Sequence, residues 1–263
     1  MARPTVALLS DFGTRDHYAG TMKGVVIGIC PDATLVDISH DIPPHDLQFA
    51  ALELAAACPY FPSGSVFLVV VDPGVGSARR GLAAEAGEYR FVAPDNGVLT
   101  AVFQRMPPKR VVELTERRYA RPTVSRTFEG RDRFAPAAAW LAKGIRLSAL
   151  GRSVSEYTLL DIPVLTIADD GIHGAVLRVD RFGNLVTNID RRAFDRLTAG
   201  GGIEIDVGGH AVGRLVETYT DIDDGEVCAL FGSTDHLEIA ANSTSAGEQL
   251  GVALGAEVRV LRA

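Results

Sequence analysis

Long apolar runs are missing from this 263-residue chain, and no stretch approaches the ~18 residues of a membrane-spanning helix, so no membrane partner is expected. Basic runs are missing as well. No basic run exceeds the pairs Arg79-Arg80, Arg117-Arg118 and Arg191-Arg192, and the formal charge is -7. Nucleic-acid binding needs a surface that neutralises phosphates, so no nucleic-acid partner is expected. The three cysteines, Cys30, Cys58 and Cys228, have no metal-ligand spacing and cannot all pair, and they read as small buried apolar side chains. The histidines form no H-E-x-x-H pair, and the phosphate-loop, dinucleotide and nucleophile-elbow glycine motifs are all absent. Asp221 to Glu226 has the acidic density of a calcium loop, but its glycine is misplaced and no acidic twelfth ligand follows. It reads as a turn. No metal site and no cofactor are expected. No basic-then-apolar leader precedes the first strand, and a cytoplasmic location is the expectation.

What is present is an ordinary globular composition, 47% hydrophobic and 22% charged, enough for a sizeable core. In the first half, the runs Thr5 to Leu9, Thr34 to Ile38 and Ser65 to Val71 are apolar with little alternation, as in strands covered on both faces. His17 to Ile29 and Asp46 to Ala57 carry apolar residues at helical spacing and stop at Pro31 and Pro59. A later helix is expected from Phe134 to Lys143, with Pro136 in its first turn. Strand–helix–strand order implies an α/β layer with a mainly parallel sheet.

From His173 onward the segments are short and strand-like: Gly174 to Asp180, Leu185 to Ile189, Ile203 to Val207, Val227 to Phe231, Leu237 to Ala240 and Glu257 to Leu261. Glycine clusters such as Gly200-Gly201-Gly202 and Gly208-Gly209 separate them, which indicates a smaller β-barrel or sandwich. The expected organisation is an N-terminal α/β domain over 1–162, a linker over 163–172 and a C-terminal β-barrel domain over 173–263.

Ligands of open parallel sheets bind beyond the carboxyl ends of strands. Three strands here end in polar residues: Ser10-Asp11-Phe12-Gly13-Thr14, Asp72-Pro73-Gly74-Val75-Gly76 followed by Arg79-Arg80, and Pro94-Asp95-Asn96-Gly97. One aspartate after a strand is ordinarily a turn former or helix cap. Three in one sheet, with glycines permitting close backbone approach, point to an acidic cleft. Thr127 to Pro136 packs four charges around one glycine before a helix, and Asp180-Arg181-Phe182-Gly183-Asn184 interrupts a strand-like stretch, where a glycine marks a bulge or close contact. These patterns do not name the ligand.

The motifs Ser10 to Asp16, Ile29 to Asp32, Val71 to Gly76, Ala93 to Gly97, Thr127 to Asp132, Asp180 to Ile189 and Leu237 to Ala240 resemble the S-adenosylmethionine (SAM) hydroxide adenosyltransferases. These are relatives of the fluorinating and chlorinating enzymes, and the resemblance covers essentially the whole chain in order. It implies hydrolysis of SAM to adenosine and methionine, with SAM as substrate and no cofactor. It also implies a homotrimer in which each site lies between the N-terminal domain of one subunit and the C-terminal domain of the next. By the same resemblance Asp11 holds the ribose hydroxyls, Phe182 and Asn184 contact adenine, and Tyr219 stacks on it. Asp180 and Ser233 fall at the methionine end, with Glu238 and Asn242 nearby. Asp72 and Arg79 match two members of the family's catalytic trio. The third departs from the pattern: where the family reads Thr-Phe-His-Gly, this chain has Glu129.

The chemistry implied is attack of water on the ribose C5′, made electrophilic by the sulfonium, so positioning and proton removal are all the protein must supply. Asp72 and Glu129 would accept hydrogen bonds from the water while Arg79 limits their repulsion. Halide transfer fits poorly, because two carboxylates would face the incoming anion. The chain also runs from Glu85 to Phe91 without the fluorinase's insertion and has Gly130 where that enzyme has serine. Two alternatives from other classes are a metal-dependent phosphohydrolase using Asp11, Asp16, Asp72 and Asp95, and a non-catalytic SAM or adenosine sensor.

Overall fold

A computed structural model describes residues 3–198 and 202–262, in two compact units, one running to Leu160 and the other starting at Asp161. Gly200 and Gly201 of the expected glycine turn lie outside the described residues.

The first unit contains β1 (Thr5–Ser10), α1 (Tyr18–Ile29), β2 (Thr34–Ser39), α2 (Leu47–Ala57), β3 (Val66–Val70), β4 (Gly81–Ala86), β5 (Tyr89–Pro94), α3 (Thr100–Arg105), β6 (Pro108–Leu114), α4 (Ala135–Ala142) and β7 (Gly151–Ser153). They build one 7-stranded sheet in the order β2-β1-β3-β5-β4-β6-β7. The first four strands are parallel and the last three extend the sheet antiparallel. The apolar runs of β1 and β3 have the expected cause, since both faces are covered, whereas β2, expected to be covered alike, is an edge strand with no buried residue. Val6, Leu8, Val66, Leu68 and Val70 join Met22 and Val26 of α1 and the apolar side of α4 in one core cluster. The alternate residues point to the other face, where Phe67 stacks on Phe91 and α2 packs on α3. Asp46 caps α2 by accepting a hydrogen bond from the Phe49 amide.

The absence of an insertion after β4 was legible in the sequence of this unit, and the turn before α4 was not. The β4–β5 hairpin closes in two residues, Ala86 pairing with Tyr89, so no insertion stands there. The segment before α4 is not an open loop. Gly130–Phe134 forms a π-helical turn that runs directly into the helix. Pro136 has no amide hydrogen to offer the Asp132 carbonyl one turn back, and that carbonyl accepts the Arg121 amide instead, at 2.8 Å.

The second unit contains β8 (Thr166–Ile167), β9 (Gly171–Val179), β10 (Leu185–Asp190), α5 (Arg191–Thr198), β11 (Ile203–Val207), β12 (His210–Val212), β13 (Val227–Phe231), β14 (His236–Ala241), α6 (Ala246–Leu250) and β15 (Glu257–Arg262). Its antiparallel sheet is 8-stranded and runs β12-β11-β15-β9-β10-β14-β13, with β8 paired on β9. The segment 163–172, expected as a linker, therefore carries β8 and the first residues of β9. The chain after β12 folds onto β13, where the Ala229 amide donates to the Arg214 carbonyl and the Val216 amide to that of Ala229. The sheet thus almost closes on itself, around a core that includes Ile172, Leu185, Ile189, Phe194, Leu237, Ile239 and Val260. Among the described residues, no helix is long and apolar enough to cross a membrane.

Candidate active site

Sheet register decides which side chains meet. Ser10 of β1 pairs with Val70 of β3, so Asp11 and Asp72 emerge side by side at the carboxyl ends of adjacent parallel strands. The third participant comes from the helical side. Glu129 stands at the start of the π-turn, and Gly130 lets that turn approach the sheet: a side chain there would meet Met22 Sδ at 3.1 Å and Val70 Cγ1 at 3.2 Å. Asp11, Phe12, Asp72, Val75, Phe128 and Glu129 line one cavity of about 220 Å³.

Arg79 sits behind that lining and joins the two carboxylates. Its Nε donates to Asp72 Oδ1 at 2.8 Å, and its Nη2 donates to both Asp72 and Glu129. The side chains are closed off, Asp72 being 5% exposed, Arg79 9% and Glu129 12%. Burial alone would lower the Arg79 pKa, but Asp72 and then Glu129 outweigh it and hold the guanidinium above its ordinary value. Its plane lies over the Phe134 ring, 5.1 Å from the centroid. Arg133 Nη1, 3.4 Å from Glu129 Oε1, supplies a second positive charge. Asp72 and Glu129 are thus offset by Arg79 and Arg133, with the two carboxylates toward the space and the guanidinium of Arg79 behind them, while Asp11 adds a third carboxylate to the lining.

The loop of the second strand end is braced by Gly76, whose φ of +78° and contact with the Arg126 carbonyl leave no room for a side chain. Asp11 is braced by its neighbour after β2, the His45 amide donating to its Oδ2 at 3.0 Å. Asp95 is the exception among the acidic strand ends. Its carboxylate is buried against Arg80 (Nε at 2.8 Å) and the Thr158 amide (2.8 Å), a structural pairing away from the cavity lining. The acidic cleft read from three strand ends is formed by two of them and Glu129. Among the described residues, no group of three or more His, Cys, Asp or Glu side chains is arranged to hold a metal ion. Asp132, in the same charged segment as Glu129, is wholly buried and held by Arg131, Arg121 and the Ser125 amide.

In the barrel unit, Asp180 Oδ1 accepts the amides of Phe182 (2.8 Å) and Asn184 (2.9 Å), and its Oδ2 accepts Asn184 Nδ2 at 2.9 Å. This turn leaves the Phe182 ring 77% exposed while Asn184 is buried. Asp180 and Phe182 line a cavity of about 360 Å³ with Ser245 and Glu248. Glu238, buried on β14, lies 3.5 Å from the Tyr219 hydroxyl. Burial first and the nearby Asp180 second push its carboxyl above the ordinary value, with Arg178 and Tyr219 opposing only in part. Ser233 is exposed in the turn between β13 and β14. Asn242 turns elsewhere, its Nδ2 donating to the Ile222 carbonyl at 3.0 Å and so fastening the turn before β13.

His45 carried no motif, and Arg133 was read only as one of the four charges between Thr127 and Pro136. Their places follow from topology, since the loop after β2 must fall beside the loop after β1.

A small cavity beyond the ends of parallel strands, edged by two arginine-clamped carboxylates, is a candidate site for a small polar molecule. Its kind follows from comparison with known proteins. The N-terminal domain of the SAM hydroxide adenosyltransferases matches residues 6–151 and the C-terminal domain of the same family matches residues 174–259. An (R)-S-adenosyl-L-methionine hydrolase of Thermus thermophilus is 42% identical over 97% of this chain and 99% of its own. A fluorinase of Nocardia brasiliensis is 28% identical over 98% of this chain and 97% of its own. An uncharacterized conserved protein of Thermotoga maritima superimposes with a TM-score of 0.92 at 35% identity, covering 98% of this chain and all of its own. The chain belongs to the SAM hydroxide adenosyltransferase family.

Proposed function

We propose that the protein is a hydrolase that cleaves S-adenosyl-L-methionine, in the (R) form named for its relatives, to adenosine and L-methionine. The observation that carries this is the Asp72–Arg79–Glu129 cluster, which edges the same cavity as Asp11. Asp11 accepts hydrogen bonds from both ribose hydroxyls, which places C5′ near the cluster. One water, held by the inward oxygens of Asp72 and Glu129, attacks C5′ opposite the sulfonium. The C5′–S bond breaks with its electron pair going to sulfur, so methionine leaves as a neutral thioether. The water's surplus proton passes to a carboxylate and then to solvent. Arg79, held above its ordinary pKa, stays a cation and offsets the repulsion between the two carboxylates. No cofactor and no metal ion enters this scheme.

A 220 Å³ cavity is small for a whole SAM molecule. The Asp180–Phe182–Asn184 turn, with Tyr219, Ser233 and Glu238, supplies the remaining contacts: Phe182 and Tyr219 an aromatic surface for adenine, Asn184 its edge, Asp180 the ammonium of methionine. In this reading the two half-sites meet across subunits of a cytoplasmic homotrimer. Asn242, fastened to Ile222, acts only at a distance. Halide transfer is disfavoured by the carboxylates lining the cavity, and at Gly130 the serine of the fluorinase would press on Met22 Sδ and Val70 Cγ1, which would have to shift.

Incubating the purified protein with SAM, with and without chelator, and separating products by chromatography tests the reading. Adenosine and methionine in equal amounts, undiminished by chelator, are expected. Metal-dependent phosphate release from nucleotides, or ligand retention with no product, would refute it.

A further inference from the structure

Beneath the Asp11 loop runs a line of polar side chains, buried at Ser10 and His40 and reaching the surface at Asp37 and Lys23, that the hydrolytic scheme leaves without a role. Ser10 Oγ lies 2.6 Å from His40 Nδ1, His40 Nε2 lies 3.1 Å from Asp37 Oδ1, and Lys23 Nζ lies 2.6 Å from Asp37 Oδ2. Ser10 is 0% exposed and His40 4%. The composition is that of a Ser–His–Asp triad, but Ser10 is sealed from solvent and absent from the cavity lining, so it is no nucleophile. Burying such groups is costly unless every hydrogen bond is made, so the line needs a structural or functional return.

The bonds run in one direction. Burial works against ionisation of Asp37, yet Lys23 and His40 hold its carboxyl below the ordinary value, so it is an acceptor. His40 Nε2 is then the donor to Asp37, and the Ser10 hydroxyl donates to Nδ1. The Ser10 oxygen in turn lies 3.4 Å from the Phe12 amide, which donates to it. The His40 carbonyl accepts the Gly13 amide at 2.7 Å. Residues 10, 12 and 13 are thus all tied to His40, and the residue they enclose is Asp11.

We propose that His40 is a positioning residue for substrate binding: through Ser10 and Gly13 it fixes the loop that presents the Asp11 carboxylate, with Asp37 and Lys23 orienting its ring from behind. The proposal rests on the reading of Asp11 as the ribose-binding group. It differs from a merely structural role for His40 because its side chain acts through one bond, to Ser10, felt at one side chain, Asp11, while the bond to Gly13 is made by the His40 backbone.

The test compares His40→Asn with His40→Gln in the full-length protein, each in the Asp11 and Asp11→Ala backgrounds. The shorter amide of asparagine reaches the place of Nδ1 and keeps the Ser10 bond. Glutamine reaches the place of Nε2, keeps Asp37 and drops Ser10. Calorimetry with adenosine and steady-state kinetics with SAM are the readouts. His40→Gln is expected to weaken adenosine binding and raise KM about tenfold with kcat changed less than about threefold, as for loss of ground-state binding. His40→Asn is expected to stay within about threefold of the parent, and the effect of His40→Gln is expected to vanish when Asp11 is already alanine. Equal losses in both His40 variants, or a loss that persists in full without Asp11, would overturn the proposal. Unchanged adenosine affinity in Asp11→Ala alone would instead overturn the ribose assignment, and the positioning role with it.

Discussion

Replacing Glu129 by glutamine separates a catalytic carboxylate from a passive one. The substitution keeps the shape and one acceptor oxygen, so Arg79 retains Asp72 through two bonds and Arg133 still has a neighbour. What disappears is a negative charge, 12% exposed, at the edge of the cavity where the water would stand. At an effective dielectric of about 20, a unit charge about 4 Å from a developing positive charge contributes about 4 kcal/mol. Part of that is recovered by reorientation of the amide and of Asp72, leaving about 2.7–4 kcal/mol, or a kcat lowered by about 10²–10³-fold. Adenosine release at saturating SAM, followed by chromatography, measures this directly. Adenosine affinity by calorimetry should move by less than about threefold, since Glu129 faces water and not the nucleoside. If Glu129 serves only to pair with Arg79 and Arg133, kcat will stay within about threefold of the parent while the melting temperature falls. That result would remove Glu129 from the mechanism and leave Asp72 and Arg79 to carry it.

Three further outcomes are expected. Asp11→Ala and Asn184→Ala should each weaken adenosine binding by about 1–3 kcal/mol, the cost of unpairing a buried hydrogen-bonding group, and calorimetry showing unchanged affinity in both would refute the assignment. Light scattering at concentrations giving full activity should return the mass of three chains, and a monomer mass would refute the proposed shared sites. Glu238 has a carboxyl pKa raised in the folded state, so the folded protein holds this proton more tightly than the unfolded chain. Its contribution to stability is therefore present in acid and lost as pH rises through the raised value. Glu238→Gln should accordingly melt above the parent at neutral pH, with the gap closing below about pH 4, and a gap independent of pH would refute the burial argument.

Much of this architecture is legible in the chain. The unalternating runs that became β1 and β3 are strands covered on both faces, the similar run of β2 became a half-exposed edge strand, and the short alternating segments after His173 became β9, β10, β11, β13, β14 and β15. The edge of the sheet was harder. Gly81 to Ala86 and Pro108 to Leu114 mix small, charged and apolar residues, because β4 and β6 take their packing from neighbours and not from a strong pattern of their own. At the site, Asp11 and Asp72 were visible as strand-end carboxylates, while Asp95 looked identical to them. Nothing in the local sequence tells that Arg80 and Thr158 claim it, since Thr158 lies 63 positions away. The His40 line was equally silent, for Ser10 meets His40 through the pairing of β1 with β2 and Lys23 reaches Asp37 from α1.

The π-turn before α4 bears on how this family can vary. Successive residues of a helix are rotated by about 100° about its axis, so one extra residue in a turn re-aims everything that precedes it. Glu129 stands immediately upstream of that extra residue, while Phe134 and α4 downstream are locked into the core. The direction in which position 129 faces is therefore set by backbone phase and is independent of which side chain occupies it. Shortening Gly130–Phe134 by one residue would let the turn relax to ordinary helix and swing position 129 away from Arg79, with no change to any residue that touches the cavity. Exchange of one side chain for another at this position, as between histidine and glutamate, leaves that phase untouched, so the chemistry at position 129 can be altered without rebuilding the frame that aims it.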